Sequence, residues 1–193
     1  MEIKSVAIVT GASQGIGQAA ALRLARDFGA VVLVATSKDK LEKTACEVKS
    51  LGAEVTVCAL DLREPQAAET VVAAALERFG KIDALLNIAG AVPQIDLFEM
   101  ADPQWDDGMA LKFHGARRLT IQAWNMLKAS QGSVAFISGS AVLDPNLDLL
   151  PSRRLMRPSL HSLRHLPSRE SKTGYRSAAS YRGSDDRSPA VLL

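Results

Sequence analysis

At 193 residues, 47% of them hydrophobic and 23% charged, the chain is long enough for one domain with a sizeable core. No apolar run approaches the roughly 20 residues of a membrane span, and MEIKSVAIVT enters a strand pattern too early for a signal peptide. A cytoplasmic location without a membrane partner is therefore expected. The net charge of +2 conceals an asymmetry: residues 1–150 carry 14 Lys and Arg against 18 Asp and Glu, whereas residues 151–193 carry 9 against 3.

Strand and helix signals alternate along the first 140 residues. Val6 to Val9 is apolar without alternation, the pattern of a strand buried on both faces. A helix is predicted over Gly17 to Phe28, a second buried strand over Ala30 to Ala35, and a polar helix over Asp39 to Leu51, stopped by Gly52. A third strand spans Glu54 to Leu60. The third helix spans Glu64 to Phe79, with Pro65 tolerated in its first turn and Gly80 ending it. Asp83 to Ile88 forms a fourth strand. Apolar residues at 105, 109, 113, 116, 119, 123 and 126 predict a long helix over Asp102 to Ala129, followed by a fifth strand, Ser133 to Ile137. Five apolar strands separated by helices imply an α/β fold, a doubly wound, Rossmann-like parallel sheet covered on both faces.

Beyond Asp144 that pattern stops. Residues 151–193 hold 9 Ser, 8 Arg and 4 Pro, with no sustained period of 2 or 3.6. The expected division is a nucleotide-binding domain over 1–144 and a Ser/Arg/Pro-rich tail over 145–193. The tail is expected to be disordered apart from a short helix near 155–166, because it buries too little apolar surface. Its basic charge lacks the aromatic interleaving of a nucleic-acid module, so no nucleic-acid partner is expected. Cys46 and Cys58 have no clustered His or Cys and read as small apolar side chains, so no metal is expected either.

The segment IVTGASQGIGQAAALRLA, residues 8–25, places Gly11, Gly15 and Gly17 at the first strand-to-helix junction. Gly11 permits the turn, Gly15 lets the backbone approach a pyrophosphate, and Gly17 allows close packing of helix on strand. Free N–H groups at that helix start, in the stretch Ser13-Gln14-Gly15-Ile16, would face the phosphates. Three further strand ends complete a candidate nucleotide site. Asp61-Leu62 is placed to seat an adenine, although an Asp capping the next helix fits as well. Asn87-Ile88-Ala89-Gly90 is small enough for a ribose to approach, and Ile137-Ser138-Gly139-Ser140 puts hydroxyls at the carboxyl edge of the sheet.

Thr10 to Gly17 as Thr-Gly-x-x-x-Gly-Ile-Gly, with Asp61-Leu62, NIAG after IDALL, Trp105 and GSVAFISGS, resembles the short-chain dehydrogenase/reductase family over about residues 4–142. The resemblance implies an NAD(P)-dependent oxidoreductase moving hydride between nicotinamide and an alcohol or carbonyl substrate. It also implies a Tyr general acid/base with a Lys four residues on, a Ser that orients the substrate oxygen, and a supporting Asn. A phenol near pKa 10 needs such a neighbouring cation to act as a base. Here Tyr175 is followed at the fourth place by Ala179 and Tyr181 by Asp185, so that dyad is absent. Lys112 stands at the Asn position, and Ser138 and Ser140 flank the Ser position. An impaired enzyme is expected, the alternative being an inactive nucleotide-binding module. The family pairs two helices across a dimer interface and only the first, 102–129, is present, so an oligomer would have an incomplete interface. The second strand ends in Thr36-Ser37-Lys38, with no carboxylate to repel a 2′-phosphate, which favours NADP over NAD.

Overall fold

The computed structural model of the protein describes residues 5–91, 95, 98–138, 180–181 and 190–192. Strand β1 (Val6–Thr10) is buried along its whole length. Successive side chains point to opposite sides of a strand, and β1 accordingly feeds two cores. Val6 and Ile8 pack with Val71, Val72, Leu119 and Leu127, whereas Val9 packs with Leu33, Leu41 and Val48. The first core lies beneath α3 (Ala67–Phe79) and α5 (Ala116–Ala129), and the second beneath α1 (Gly15–Leu24) and α2 (Lys38–Ser50). Coverage on both faces explains why the strand sequences do not alternate.

β2 (Ala30–Ala35), β3 (Glu54–Ala59), β4 (Ala84–Asn87) and β5 (Ser133–Phe136) run parallel to β1. The strand order is β3-β2-β1-β4-β5, the doubly wound arrangement expected. Winding reverses at β1, so a crevice opens at the carboxyl ends of β1 and β4, where this architecture places ligands. Asp83 fixes the opposite ends of three strands. Its Oδ2 accepts from the Val6 N–H at 2.8 Å, its N–H donates to the Val6 carbonyl at 2.9 Å, and its carbonyl accepts from the Ser133 N–H at 2.9 Å.

Three local differences from the sequence reading have simple causes. Glu64–Gln66 form turns rather than the start of α3, with Glu64 N–H donating to the Asp61 carbonyl and Ala67 N–H to that of Glu64. Helix α1 ends at Leu24, and residues 25–27 form turns. The long helix is interrupted: α4 (Asp102–Met109) passes through a π-helical turn, Ala110–Gly115, before α5 begins. The apolar period survives this change of winding.

Two short strands within 145–193 are local structure the sequence reading did not include. Residues 180–181 (β6) and 190–192 (β7) join the sheet, β7 parallel to β5 and β6 antiparallel to β7. Strands of two and three residues leave no measurable alternation in a sequence, so neither was legible from composition or period. The expected helix near 155–166, the boundary at 144 and Ser140 lie outside the described residues. Among the described residues, no helix is long and apolar enough to cross a membrane and no cluster of side chains suits a metal ion.

Candidate functional site

A cleft of about 480 Å³ lies over the carboxyl ends of β1 and its neighbours. Its floor is the glycine turn. Gly11 adopts φ +68°, and a Cβ there would stand 3.1 Å from the Ala89 backbone, so both the conformation and the approach of β4 require glycine. Gly15 adopts φ +57°, yet a Cβ there would meet nothing within 4 Å. Space is open above it. At Gly17 a Cβ would run into the Gly11 carbonyl oxygen, which sets how closely α1 packs on the turn. Helix α1 begins with no side-chain cap on Gln14 and no acidic residue in its first turn. Its leading N–H groups therefore remain available to an anion.

Gly11, Ser13, Gln14, Gly15, Ile16, Gly17, Thr36, Asp61, Leu62, Ala89 and Gly90 all line this cleft. Ser37 and Lys38 do not: Ser37 is the N-cap position of α2 and Lys38 its first residue. Asn87 is also placed differently, being 3% exposed in the interior. Its Nδ2 donates to Thr120 Oγ1 at 3.1 Å and its Oδ1 is buried without a hydrogen-bond partner. A period-2 strand turns residue 87 away from the face that residue 88 presents.

Thr10 entered the sequence reading only as the first residue of the glycine motif, yet it joins the two strands that frame the cleft. Its hydroxyl oxygen accepts from the N–H groups of Ile88 and Ala89, each at 2.9 Å, and donates to the Leu86 carbonyl at 3.2 Å. Arg63 was likewise missed. It lines the cleft and pairs with both Asp61 (Nη1–Oδ2 3.0 Å) and Asp107 on α4 (Nε–Oδ1 2.7 Å). Burial acts to lower the Arg63 pKa, but the hydrogen bonds and charges of Asp107 and Asp61 outweigh it and hold it above its ordinary value. Asp61 Oδ1 also accepts from the Arg63 backbone N–H at 2.9 Å, a local turn upstream of α3, whose N-cap position is Gln66 rather than Asp61. The acceptor capacity of Asp61 is thus partly used within the protein.

The opposite end of the cleft is bounded by Gly90, Ala91 and Leu111. Beside Leu111, in the π-helical turn, Lys112 is half-buried with its stem across Gly90; a Cβ on Gly90 would stand 2.8 Å from Lys112 Cδ. Lys112 Nζ donates to the Ile137 carbonyl at 2.7 Å, linking the helix to the end of β5. Burial pushes its pKa below that of an ordinary lysine. Ser138 is exposed just beyond β5 and does not line the cleft. Lys40 adds a cation elsewhere along the rim, its Nζ donating to Gln14 Oε1 at 2.8 Å.

Comparison with known proteins places this geometry. Residues 5–149 match the family model for short chain dehydrogenase. The chain is 34% identical over 139 residues to the short-chain reductase protein NovJ of Streptomyces niveus, covering 72% of this chain and 53% of that protein. It thus spans about half the length of the curated relatives it matches. L-sorbose reductase from Gluconobacter frateurii, solved with NADPH and L-sorbose, superposes with a TM-score of 0.75 at 28% identity, over 86% of this chain and 65% of that one. Carveol dehydrogenase from Mycobacterium avium, solved with NAD, superposes with a TM-score of 0.77 over 84% of this chain and 64% of that one; at 19% identity it speaks to the fold alone.

Proposed function

Because the chain belongs to the short-chain dehydrogenase family, we propose that its cleft holds a nicotinamide dinucleotide, NADP in preference to NAD. The reaction proposed is hydride exchange with a small alcohol or carbonyl substrate. The observation that carries the cofactor reading is the glycine turn. Gly15 leaves open space where a side chain would stand, directly before an uncapped helix start. Backbone N–H groups of residues 13–17 would hold the pyrophosphate, Asp61 and Leu62 would border the adenine, and Ala89 and Gly90 would border the nicotinamide ribose. When bound, such a cofactor supplies or accepts the hydride.

The NADP preference is supported by electrostatics. No carboxylate stands at Thr36, Ser37 or Lys38. Thr36 lines the cleft, and Lys40 brings an ammonium to Gln14, which also lines it. A 2′-phosphate there meets cations rather than an acid.

Proton transfer is proposed to be impaired in these 193 residues. The candidates for it are Lys112, Ser138 and Ser140. Lys112 is hydrogen-bonded to a backbone carbonyl. A serine hydroxyl donates a hydrogen bond to the substrate oxygen, but giving up its proton would leave a serine alkoxide that needs a partner to reprotonate it. A nucleotide-binding module without turnover is the second reading, favoured by that engagement of Lys112 and by the absence of Tyr-x-x-x-Lys.

Fluorescence titration of NADPH into the chain and into Gly15→Val tests the cofactor reading. The expected result is binding by the first and a loss on the order of 100-fold in the second, from a branched side chain at positive φ in the phosphate space. Equal affinities would overturn it.

A further inference from the structure

We propose that Arg63 is the platform on which the adenine of the bound dinucleotide stacks, and that Asp107 is the positioning residue that holds the platform flat. This rests on the cofactor reading above. Arg63 lines the cleft with Leu60, Asp61 and Leu62 at the end of β3 and with Ala35 and Thr36 at the end of β2. Asp107, its ion-pair partner, stands one helical turn before Leu111, which also lines the cleft.

Two edge nitrogens of its guanidinium are hydrogen-bonded to carboxylates, while Nε lies close to one without a hydrogen bond. Nη1 lies 3.0 Å from Asp61 Oδ2, Nη2 donates to Asp107 Oδ2 at 3.0 Å, and Nε lies 2.7 Å from Asp107 Oδ1. From α5, Arg118 Nη1 donates to the Arg63 carbonyl at 3.1 Å and holds the backbone as well. A guanidinium is planar, so one whose edges meet carboxylates keeps its faces for a ligand, and those faces stack on aromatic rings. Two carboxylates against that cation also make the spot a poor phosphate subsite and a suitable one for an uncharged base. Because the Asp61 carboxylate already accepts from Arg63 twice over, through Nη1 and the backbone N–H, the edge of the purine is read weakly. Recognition at this end is by face.

Asp107 lies outside the cleft, 44 residues from Arg63 in sequence, on the exposed side of α4. Its carboxylate accepts the Nη2 hydrogen bond and adds an ion pair at Nε. Without it the side chain regains rotation about its stem.

Calorimetric titration of the full chain with ADP-ribose, AMP, IMP and nicotinamide mononucleotide tests the proposal. Arg63→Ala is expected to weaken ADP-ribose, AMP and IMP alike, on the order of tenfold, and to leave nicotinamide mononucleotide unchanged. Arg63→Lys, which keeps the charge without the plane, is expected to be no better than Arg63→Ala. Asp107→Asn is expected to produce a smaller loss in the same ligand order. Thermal melts of each variant accompany the titrations, and if Arg63→Ala does not fold, the ligand order in Asp107→Asn decides. Wild-type affinity in Arg63→Lys, or an equal loss on nicotinamide mononucleotide, would overturn stacking. If the unaltered chain binds ADP-ribose and Arg63→Ala binds it equally well, stacking alone falls. If the unaltered chain binds neither ADP-ribose nor the mononucleotide, the cofactor reading falls and takes stacking with it.

Discussion

The two ends of the cleft are made of different materials. At the phosphate and adenine end, backbone does most of the shaping: two glycines at positive φ, a third within α1 packed on the turn, and an uncapped helix start. At the Gly90 end, the shaping falls to a side chain, Lys112, carried on a π-helical turn and hydrogen-bonded to the close of β5. Backbone sites depend on local conformation and tolerate drift elsewhere. Side-chain sites depend on groups brought from distant parts of the chain, so losing one contributor leaves the others without a task. The first end has the open space and free N–H groups that the proposed dinucleotide would use, while no tyrosine stands among the described residues of the cleft.

The strongest way to break this contrast is to find chemistry at the second end. General acid–base help is worth roughly 10²–10⁴-fold, and turnover by these 193 residues is expected to fall short of ordinary enzyme rates by at least that factor. A panel of ketones, aldehydes and secondary alcohols, followed by NADPH and NADH absorbance, checks it. Ordinary rates that vanish in Lys112→Ala would reverse the contrast.

At the first end, Gly17→Val is expected to destabilise the fold by about 3 kcal/mol, through overpacking against the Gly11 carbonyl. Urea denaturation measures it, and an unchanged midpoint would show that α1 can shift away cheaply. A smaller effect, on the order of tenfold, is expected in the ratio of NADP to NAD dissociation constants for Thr36→Asp, since a carboxylate repels the 2′-phosphate. An unchanged ratio would place that phosphate elsewhere.

The smallest effect concerns Lys112. Burial lowers its folded pKa, so between the folded and unfolded values the unfolded chain binds more protons and stability rises with pH. This pH-dependent increment, measured by denaturant midpoints from neutral pH toward the ordinary lysine range, is expected to disappear in Lys112→Met. A slope identical in the variant would mean that the ammonium is solvated.

The same contrast decides how much could be read from sequence. The glycine turn was legible because its causes lie within seven residues: positive φ at Gly11 and Gly15 and close packing at Gly17. The strands were legible because burial on both faces removes alternation. Asn87 was assigned to the cleft because a motif gives the neighbourhood of a strand end but not which face each residue takes. Ser37 and Lys38 stand at the start of α2, beside rather than among the residues that line the cleft, since the chain turns into a helix there. Thr10, Arg63 and Asp107 act across separations of 44 to 79 residues, which no local pattern records. The π-helical turn changes winding without disturbing the apolar period, so it too leaves no trace.

The central place of β1 has a consequence for the order of assembly. Its first partner, β2, follows within about 24 residues, but β4 pairs with it only across some 77. On an emerging chain β1 therefore waits, half-zipped, with one edge unsatisfied. The bonds from Ile88 and Ala89 to Thr10 form only when β4 arrives, and pairings of that span are slow to close. A nucleotide bound between them would favour the closed arrangement over every earlier one. The glycine turn precedes β4 in the chain, so the nucleotide proposed for it would meet a complete cleft only once β4 has paired.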